Sequence, residues 1–347
     1  MSGHVCWIDD VGIDDRPDVG GKGGSLGELR RAGIAVPPAF VVRTCVFERM
    51  LEALEREAPV RARIESLDAR DLSAITDCSK DLRERIQQAP LPRDVADEIS
   101  AAHQTLCNRA DVAVAVRSSA TSEDAKDASF AGLQDTYLWV RGGDEVLRMV
   151  RSCWGSLYSV ESVSYRRQRG MDERGVAMAV VVQTMVDART AGVMFTRSPT
   201  TGDRSVVAIE ASWGLGSAVV GGEVTPDRWV VGKITGEISV RDISDKAIRH
   251  APAGSGGIES VAVEPELRLV ACMSDEELQA LREIARRVER HYRHAQDIEW
   301  AVDRHDGSIL LLQSRPETVW STKEQAPAAR AAADPLSHLM NIFGGRR

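Results

Sequence analysis

Cysteine pairs at metal-like or disulfide-like spacing are missing from this sequence. Its six cysteines (Cys6, Cys45, Cys78, Cys107, Cys153, Cys272) are scattered, with no C-x-x-C. That excludes a zinc-thiolate motif and fits reduced, mostly buried thiols. Long apolar runs are missing too, so no stretch matches the roughly 20 residues that cross a bilayer as a helix. The N-terminal MSGHVCWIDDVG has no basic region leading into an apolar core, so no secretory signal is expected and the expected location is cytoplasmic. Positive charge is in deficit: 44 Lys and Arg against 52 Asp and Glu leave a net charge of −8. The balance argues against nucleic acid or an anionic membrane as partner, but not against a nucleotide, whose site needs only local positive charge. No internal repeat is present. At 347 residues, 43% hydrophobic and 28% charged, the chain has the length for a two-lobed body with a sizeable core.

What is present is organised around the stretch from Asp297 to Arg315, DIEWAVDRHDGSILLLQSR. It reads as two strands with Asp306-Gly307 as the turn signal. Side chains alternate faces along a strand. Asp297 and Glu299 therefore share one face, with Ile298, Trp300 and Val302 on the other; Gln313 and Arg315 share a face, with Leu310 and Leu312 opposite. A two-residue loop would set Glu299 against Ser314. A three-residue loop, His305-Asp306-Gly307 with Gly307 at positive φ, sets Glu299 across from Gln313, Asp297 across from Arg315 and Trp300 across from Leu312. The second register is expected, because it alone gives one apolar face and one face with two carboxylates, an amide and a guanidinium. Those oxygens suit Mg²⁺, and the guanidinium suits phosphate. An exposed ion pair on a half-buried hairpin would use the same residues.

Upstream, DVGGKGGSLGELRRAGIAVPPAFVV reads as a glycine-rich loop around Lys22, a short helix from about Ser25 to Arg31, and a strand after Pro38. Gly20, Gly21, Gly23 and Gly24 would let backbone N–H groups approach an anion, although the Walker A spacing is absent. The chain from Cys45 to Asn108 is a helical scaffold, with Phe47, Met50, Leu51 and Leu54 as one buried stripe. A strand over Val112 to Val116 leads into Arg117-Ser118-Ser119 and a long hydroxyl- and glycine-containing loop, which suits a phosphate-covering flap. Helices follow over about Gly143 to Ser156 and Val160 to Arg169. Ala177 to Val186 is an apolar strand carrying Gln183, a reading that fits an adenine wall as well as a core strand with one satisfied amide. A further strand, Val206 to Ala211, carries Glu210. Ser274 to His294 is an amphipathic helix, opened by a Ser274–Glu277 capping box. Beyond Trp320 the composition turns to a linker and an apolar patch (Leu336, Leu339, Met340, Ile342, Phe343) that reads as a partner-docking helix in preference to a frayed end.

In order, GGKGGSLGEL, AVRSSATSEDAKDASFAGLQDTYL, VVVQTMV, AGVMFTRSP, EASWGLG, GGEVTPD and DIEW…LLLQSRPETVW resemble the ATP-binding domain of the phosphoenolpyruvate synthase, pyruvate phosphate dikinase and rifampicin phosphotransferase family. The likeness runs over about residues 10–320. It implies an α+β, two-lobed ATP-grasp-type fold with mixed or antiparallel sheets and the nucleotide between the lobes. The lobes would be residues 1–187 and 188–322, with 323–347 as linker and docking tail. By the resemblance Lys22, Arg117 and Arg315 would act on the ATP phosphates, and Gly132, Gln134, Asp135 and Thr136 would cover them. Gln183 and Met185 would contact adenine, and Glu210 and Asp297 would lie near the nucleotide. Glu299 and Gln313 would bind Mg²⁺.

Two departures stand out. Family members commonly read WGLGE, where this chain has Ser217 after Gly216. The phosphorylatable histidine of the family, in a Thr-(Ser/Cys)-His-Ala context, matches none of His4, His103, His250, His291, His294, His305 and His338. The expectation is a split system like phenylphosphate synthase and alkylphenol-phosphorylating systems, in which a partner subunit brings the histidine swivelling domain and the acceptor site. A regulatory nucleotide-binding module and an ADP-forming ATP-grasp ligase remain the alternatives. Arg117 and Glu299 are expected on solvent-accessible polar faces.

Overall fold

The computed structural model describes residues 3–108, 112–121, 124–125, 128–129, 135–254, 256–318 and 320. Apolar alternation builds two antiparallel sheets. The first has five strands in the order β1 (Val5–Trp7), β2 (Ala39–Val42), β7 (Met178–Thr184), β3 (Val114–Ala120) and β6 (Thr136–Val140). The second has six, in the order β11 (Ile238–Asp242), β10 (Asp227–Gly232), β9 (Val206–Trp213), β8 (Ala188–Phe195), β14 (Gln296–Asp303) and β15 (Ile309–Pro316). Two small hairpins stand apart: β4 (Asp124–Ala125) with β5 (Ala128–Ser129), and β12 (Ile248–Pro252) with β13 (Ile258–Ala262).

The helices are α1 (Arg16–Arg31), α2 (Thr44–Glu57), α3 (Arg61–Glu65), α4 (Leu72–Gln88), α5 (Arg93–Leu106), α6 (Gly143–Ser156), α7 (Val160–Arg169), α8 (Ser217–Val220) and α9 (Asp275–Tyr292). On α2, Phe47, Met50, Leu51 and Leu54 are buried as their spacing requires. On α9, Ser274 Oγ accepts from Glu277 N–H while Glu277 Oε2 accepts from Ser274 N–H, at 3.3 and 2.9 Å, which closes the expected capping box.

Burial sorts these elements into two main cores. One packs α2, α4, α5 and α6 onto the first sheet around Phe40, Phe47 and Trp154. The other joins α1, the opposite face of the first sheet (Val41, Val181), the second sheet (Met194, Trp229, Trp300) and α9. The sheets therefore share apolar surface and are fixed against each other. Asp227, the acid of GGEVTPD, is fully buried and structural. It accepts from Lys246 Nζ at 2.6 Å and from the N–H groups of Ser244 and Cys272, both at 2.9 Å.

The glycine run departs from expectation. It lies within the helical span of α1, which is kinked at Gly20 (φ 70°), and is not an open loop. A Cβ on Gly20 would sit 1.9 Å from Ser119 O, and one on Gly27 2.3 Å from Val11 O. Ser119 Oγ donates to Val19 O and accepts from Gly23 N–H, at 2.8 and 3.1 Å. The glycines let α1 seat directly on β3 and on the chain preceding it. That close approach is the physical reason for their number.

Candidate functional site

A cleft of about 1190 Å³ runs between the two sheets. Arg117 crosses it. Its position in β3 aims the side chain at the second sheet, where Nη2 donates to Glu299 Oε2 at 3.0 Å and to Gln313 Oε1 at 2.8 Å. Nη1 donates to Leu312 O at 2.7 Å and more weakly to Gln183 Oε1 at 3.5 Å. Arg117 is only 8% exposed, so the expected solvent-accessible placement is wrong for it. The guanidinium is a buried clamp between sheets, whose charge is met by Glu299.

The polar register of the hairpin is the expected one: Glu299 pairs with Gln313 and Asp297 with Arg315. The route to it differs. Asp303 pairs with Ser308 through its N–H, at 2.9 Å, so the loop is Arg304 to Gly307 rather than three residues, with Gly307 at φ 71° as foreseen. A bulge between Glu299 and Trp300 then restores the register, with Trp300 opposite Leu311 and not Leu312. Leu311 is the core partner of Ile298, Trp300 and Val302, whereas Leu310 and Leu312 pack beside a small cluster, Val186, Ala188, Ala191, Leu215 and Ala301, at the apolar end of the cleft. The extra residue also releases the Leu312 carbonyl to Arg117.

Of the other expected residues, Lys22, Thr136, Gln183, Met185 and Arg315 line this cleft with Arg117, Glu299 and Gln313. Gln183 is 2% exposed and its Nε2 has no hydrogen-bond partner among the described residues, an orphan donor at a cleft wall. Arg315 Nε lies 3.3 Å from Asp297 Oδ2. Burial pushes the Asp297 carboxyl up to about 6 in spite of that guanidinium, which pulls the other way.

Two of the expected residues stand off the cleft lining. Asp135 does not line the cleft; its carboxylate accepts from Tyr137 Oη at 2.9 Å and faces Arg83 at 3.8 Å, because its position just before β6 turns it outward. Glu210 pairs with Val193, which pairs with Glu299. It therefore shares the face of Glu299 but stands two ladder spacings away, roughly 10 Å, outside the cleft lining. Gly132, Gln134 and the tail 323–347 lie outside the described residues.

The sequence reading passed over several cleft residues. Trp139 lines the cleft from a left-handed backbone position, φ 57°, at a β3–β6 register shift. Gly254, Gly256 and Gly257, at the tip of the β12–β13 hairpin, overhang the same space, and Gly257 N–H donates to Trp139 O at 3.3 Å. The glycine cluster was a legible turn signal, but no local pattern reports which cleft a turn covers. Ser217 also lines the cleft.

Glu299 and Gln313 offer hard oxygen donors, and one guanidinium nitrogen bonds both, so the two oxygens converge as a Mg²⁺ site with substrate phosphates requires. Among the described residues no group of three or more His, Cys, Asp or Glu could hold a metal ion by itself, and no helix is long and apolar enough to cross a membrane.

The family described as pyruvate phosphate dikinase, AMP/ATP-binding domain, matches residues 16–334. A probable phosphoenolpyruvate synthase of Methanothermobacter thermautotrophicus is 42% identical over 321 residues, covering 92% of this chain and 46% of that protein. The phosphoenolpyruvate synthase of Pyrococcus furiosus is 37% identical over 368 residues, covering 94% and 45%. The chain thus spans about half the length of these relatives. Among solved structures, D-alanyl-alanine synthetase A from Vibrio cholerae aligns over 71% of this chain and 56% of that one at 12% identity and a TM-score of 0.26, an overlap that carries no weight for the fold.

Proposed function

The chain belongs to the pyruvate phosphate dikinase AMP/ATP-binding domain family, and from that premise we propose that it binds Mg-ATP between its sheets and passes the β-phosphoryl group to a histidine on a partner subunit. The observation that carries this reading is the convergence of Glu299 Oε2 and Gln313 Oε1 on Arg117 Nη2, at 3.0 and 2.8 Å. Two oxygens aimed at one cation are what a metal–phosphate site needs, and a guanidinium beside them suits the phosphates.

Mg²⁺ held by Glu299 and Gln313 would neutralise phosphate charge. Lys22, Arg117 and Arg315 line the same cleft and would hold phosphate oxygens, the arginines through their planar forks. The orphan Gln183 amide would donate to adenine, with Met185 against the ring. These residues do little covalent work: they position the triphosphate and meet its charge. ATP, a histidine imidazole and water become phosphohistidine, AMP and inorganic phosphate. An imidazole nitrogen bonds to the β-phosphorus as AMP leaves with the bridging oxygen, and water takes the γ-phosphoryl group.

The proposal places the family's phosphorylated histidine on a swivelling domain of a partner subunit, which would also bring the site for a small hydroxylated acceptor such as a phenol or alkylphenol. The test is product analysis of ATP turnover with such a partner present. Equal AMP and inorganic phosphate, with a phosphorylated phenol, are expected. ATP bound but never turned over would mark a regulatory module; ADP formed without any histidine partner would mark a ligase.

A further inference from the structure

Three side chains away from the Glu299–Gln313 pair form a hydrogen-bonded series. Ser217 Oγ lies 2.8 Å from His250 Nδ1, and His250 Nε2 lies 3.2 Å from Glu223 Oε2. His250 is 7% exposed, and Ser217 lines the cleft. A carboxylate accepts, so Nε2 is the donor toward Glu223, and in that tautomer of the imidazole Nδ1 is an acceptor. With Nδ1 as acceptor, Ser217 gives it the hydroxyl proton. Its oxygen lone pairs are left as an acceptor at the cleft wall.

The backbone holds this arrangement. Leu215 N–H donates to His250 O at 3.1 Å. Gly214, at φ 77°, permits the approach, since a Cβ there would lie 2.5 Å from that carbonyl oxygen. The series is also placed along the cleft. A Cβ on Gly216 would lie 3.5 Å from Ala191 Cβ; Ala191 pairs with Ala301, whereas Val193 pairs with Glu299. Two residues along a strand span about 6.6 Å. Ser217 therefore follows a residue that packs one same-face step from the paired oxygens, toward the apolar end formed by Val186 and Leu215. In a nucleotide laid along this cleft, the group between base and phosphates is the pentose.

We propose that Ser217 accepts a hydrogen bond from a ribose hydroxyl of the bound nucleotide, with His250 and Glu223 as positioning residues that keep its oxygen an acceptor. The inference rests on the nucleotide reading given above. Its test is calorimetric binding of Mg-ATP, Mg-2′-deoxy-ATP and Mg-3′-deoxy-ATP. The wild-type protein is expected to bind at least one deoxy analogue about fivefold to tenfold more weakly than ATP, the worth of one hydrogen bond. Ser217→Ala, with an unchanged melting midpoint, is expected to lose that discrimination. His250→Leu loses it as well, and His250→Asn, whose amide oxygen accepts in place of Nδ1, restores it. Equal wild-type affinities for the three nucleotides would overturn this inference and leave the nucleotide reading standing. Absence of any ATP binding would overturn the nucleotide reading, and this inference with it. A Ser217→Ala variant weakened for all three by one factor would reduce Ser217 to a structural role and overturn the inference alone.

Discussion

At the scale of single residues, Arg117 and Asp297 carry the sharpest consequences. Arg117 donates to acceptors on both sheets, and its loss leaves Glu299 without its cation. Arg117→Ala is expected to cost about 2–3 kcal/mol in urea unfolding, so a variant that binds no ATP must be checked for folding first. Asp297 sets a pH dependence. Its folded value of about 6 stands above the ordinary 3.8, so the folded protein holds the proton more tightly. The stability this gives is full below about pH 4, declines as pH rises to about 6, and is gone above that, a span of about 3 kcal/mol at most. Urea midpoints for Asp297→Asn are expected to lie flat across that window. A wild-type midpoint that climbs from pH 4 to 6 would contradict the assignment.

At the scale of elements, the lesson lies in α1 and the β14–β15 hairpin. Four glycines around a lysine looked like a phosphate loop, since composition reports conformational freedom and not what the freedom serves. Here they let a helix sit on Ser119 and Val11. Gly20→Ala is therefore expected to lower the melting midpoint by several degrees, about 2 kcal/mol or more, from both its left-handed φ and the contact with Ser119 O; a midpoint within one degree of wild type would refute this. In the hairpin, alternation of Ile298, Trp300 and Val302 made the core face legible, and matching of polar faces gave the Glu299–Gln313 pairing. The bulge was not legible. Leu310, Leu311 and Leu312 are chemically equivalent, so nothing in the string marks which one is extra.

For the whole molecule, the extents of helices such as α2 and α9 came from periodicity and capping signals that act within a few residues, whereas the two-lobed plan with mixed or antiparallel sheets came from the family resemblance. Asp135, Glu210 and the Ser217–His250–Glu223 series depend on how distant strands meet, and no local pattern encodes that. The sheets share one core around Val41, Val181, Met194 and Trp300. Leu311 N–H also donates to Ala35 O at 2.9 Å and Ser25 Oγ to Ser314 O at 2.5 Å. Calorimetry is expected to show a single transition with equal calorimetric and van't Hoff enthalpies; two resolved peaks would mean the lobes unfold independently.

If Glu299 and Gln313 hold Mg²⁺ as proposed, the bridge made by Arg117 also dictates an order of arrival. Its guanidinium occupies the seat between Glu299 and Gln313, so a bare Mg²⁺ would have to evict a resident cation while offering it nowhere to go. A metal that enters already chelated by a triphosphate brings the evicted group its new anion. Titration with MgCl₂ alone is accordingly expected to release no binding heat, Mg-ATP to release it, and Arg117→Ala to admit the metal by itself.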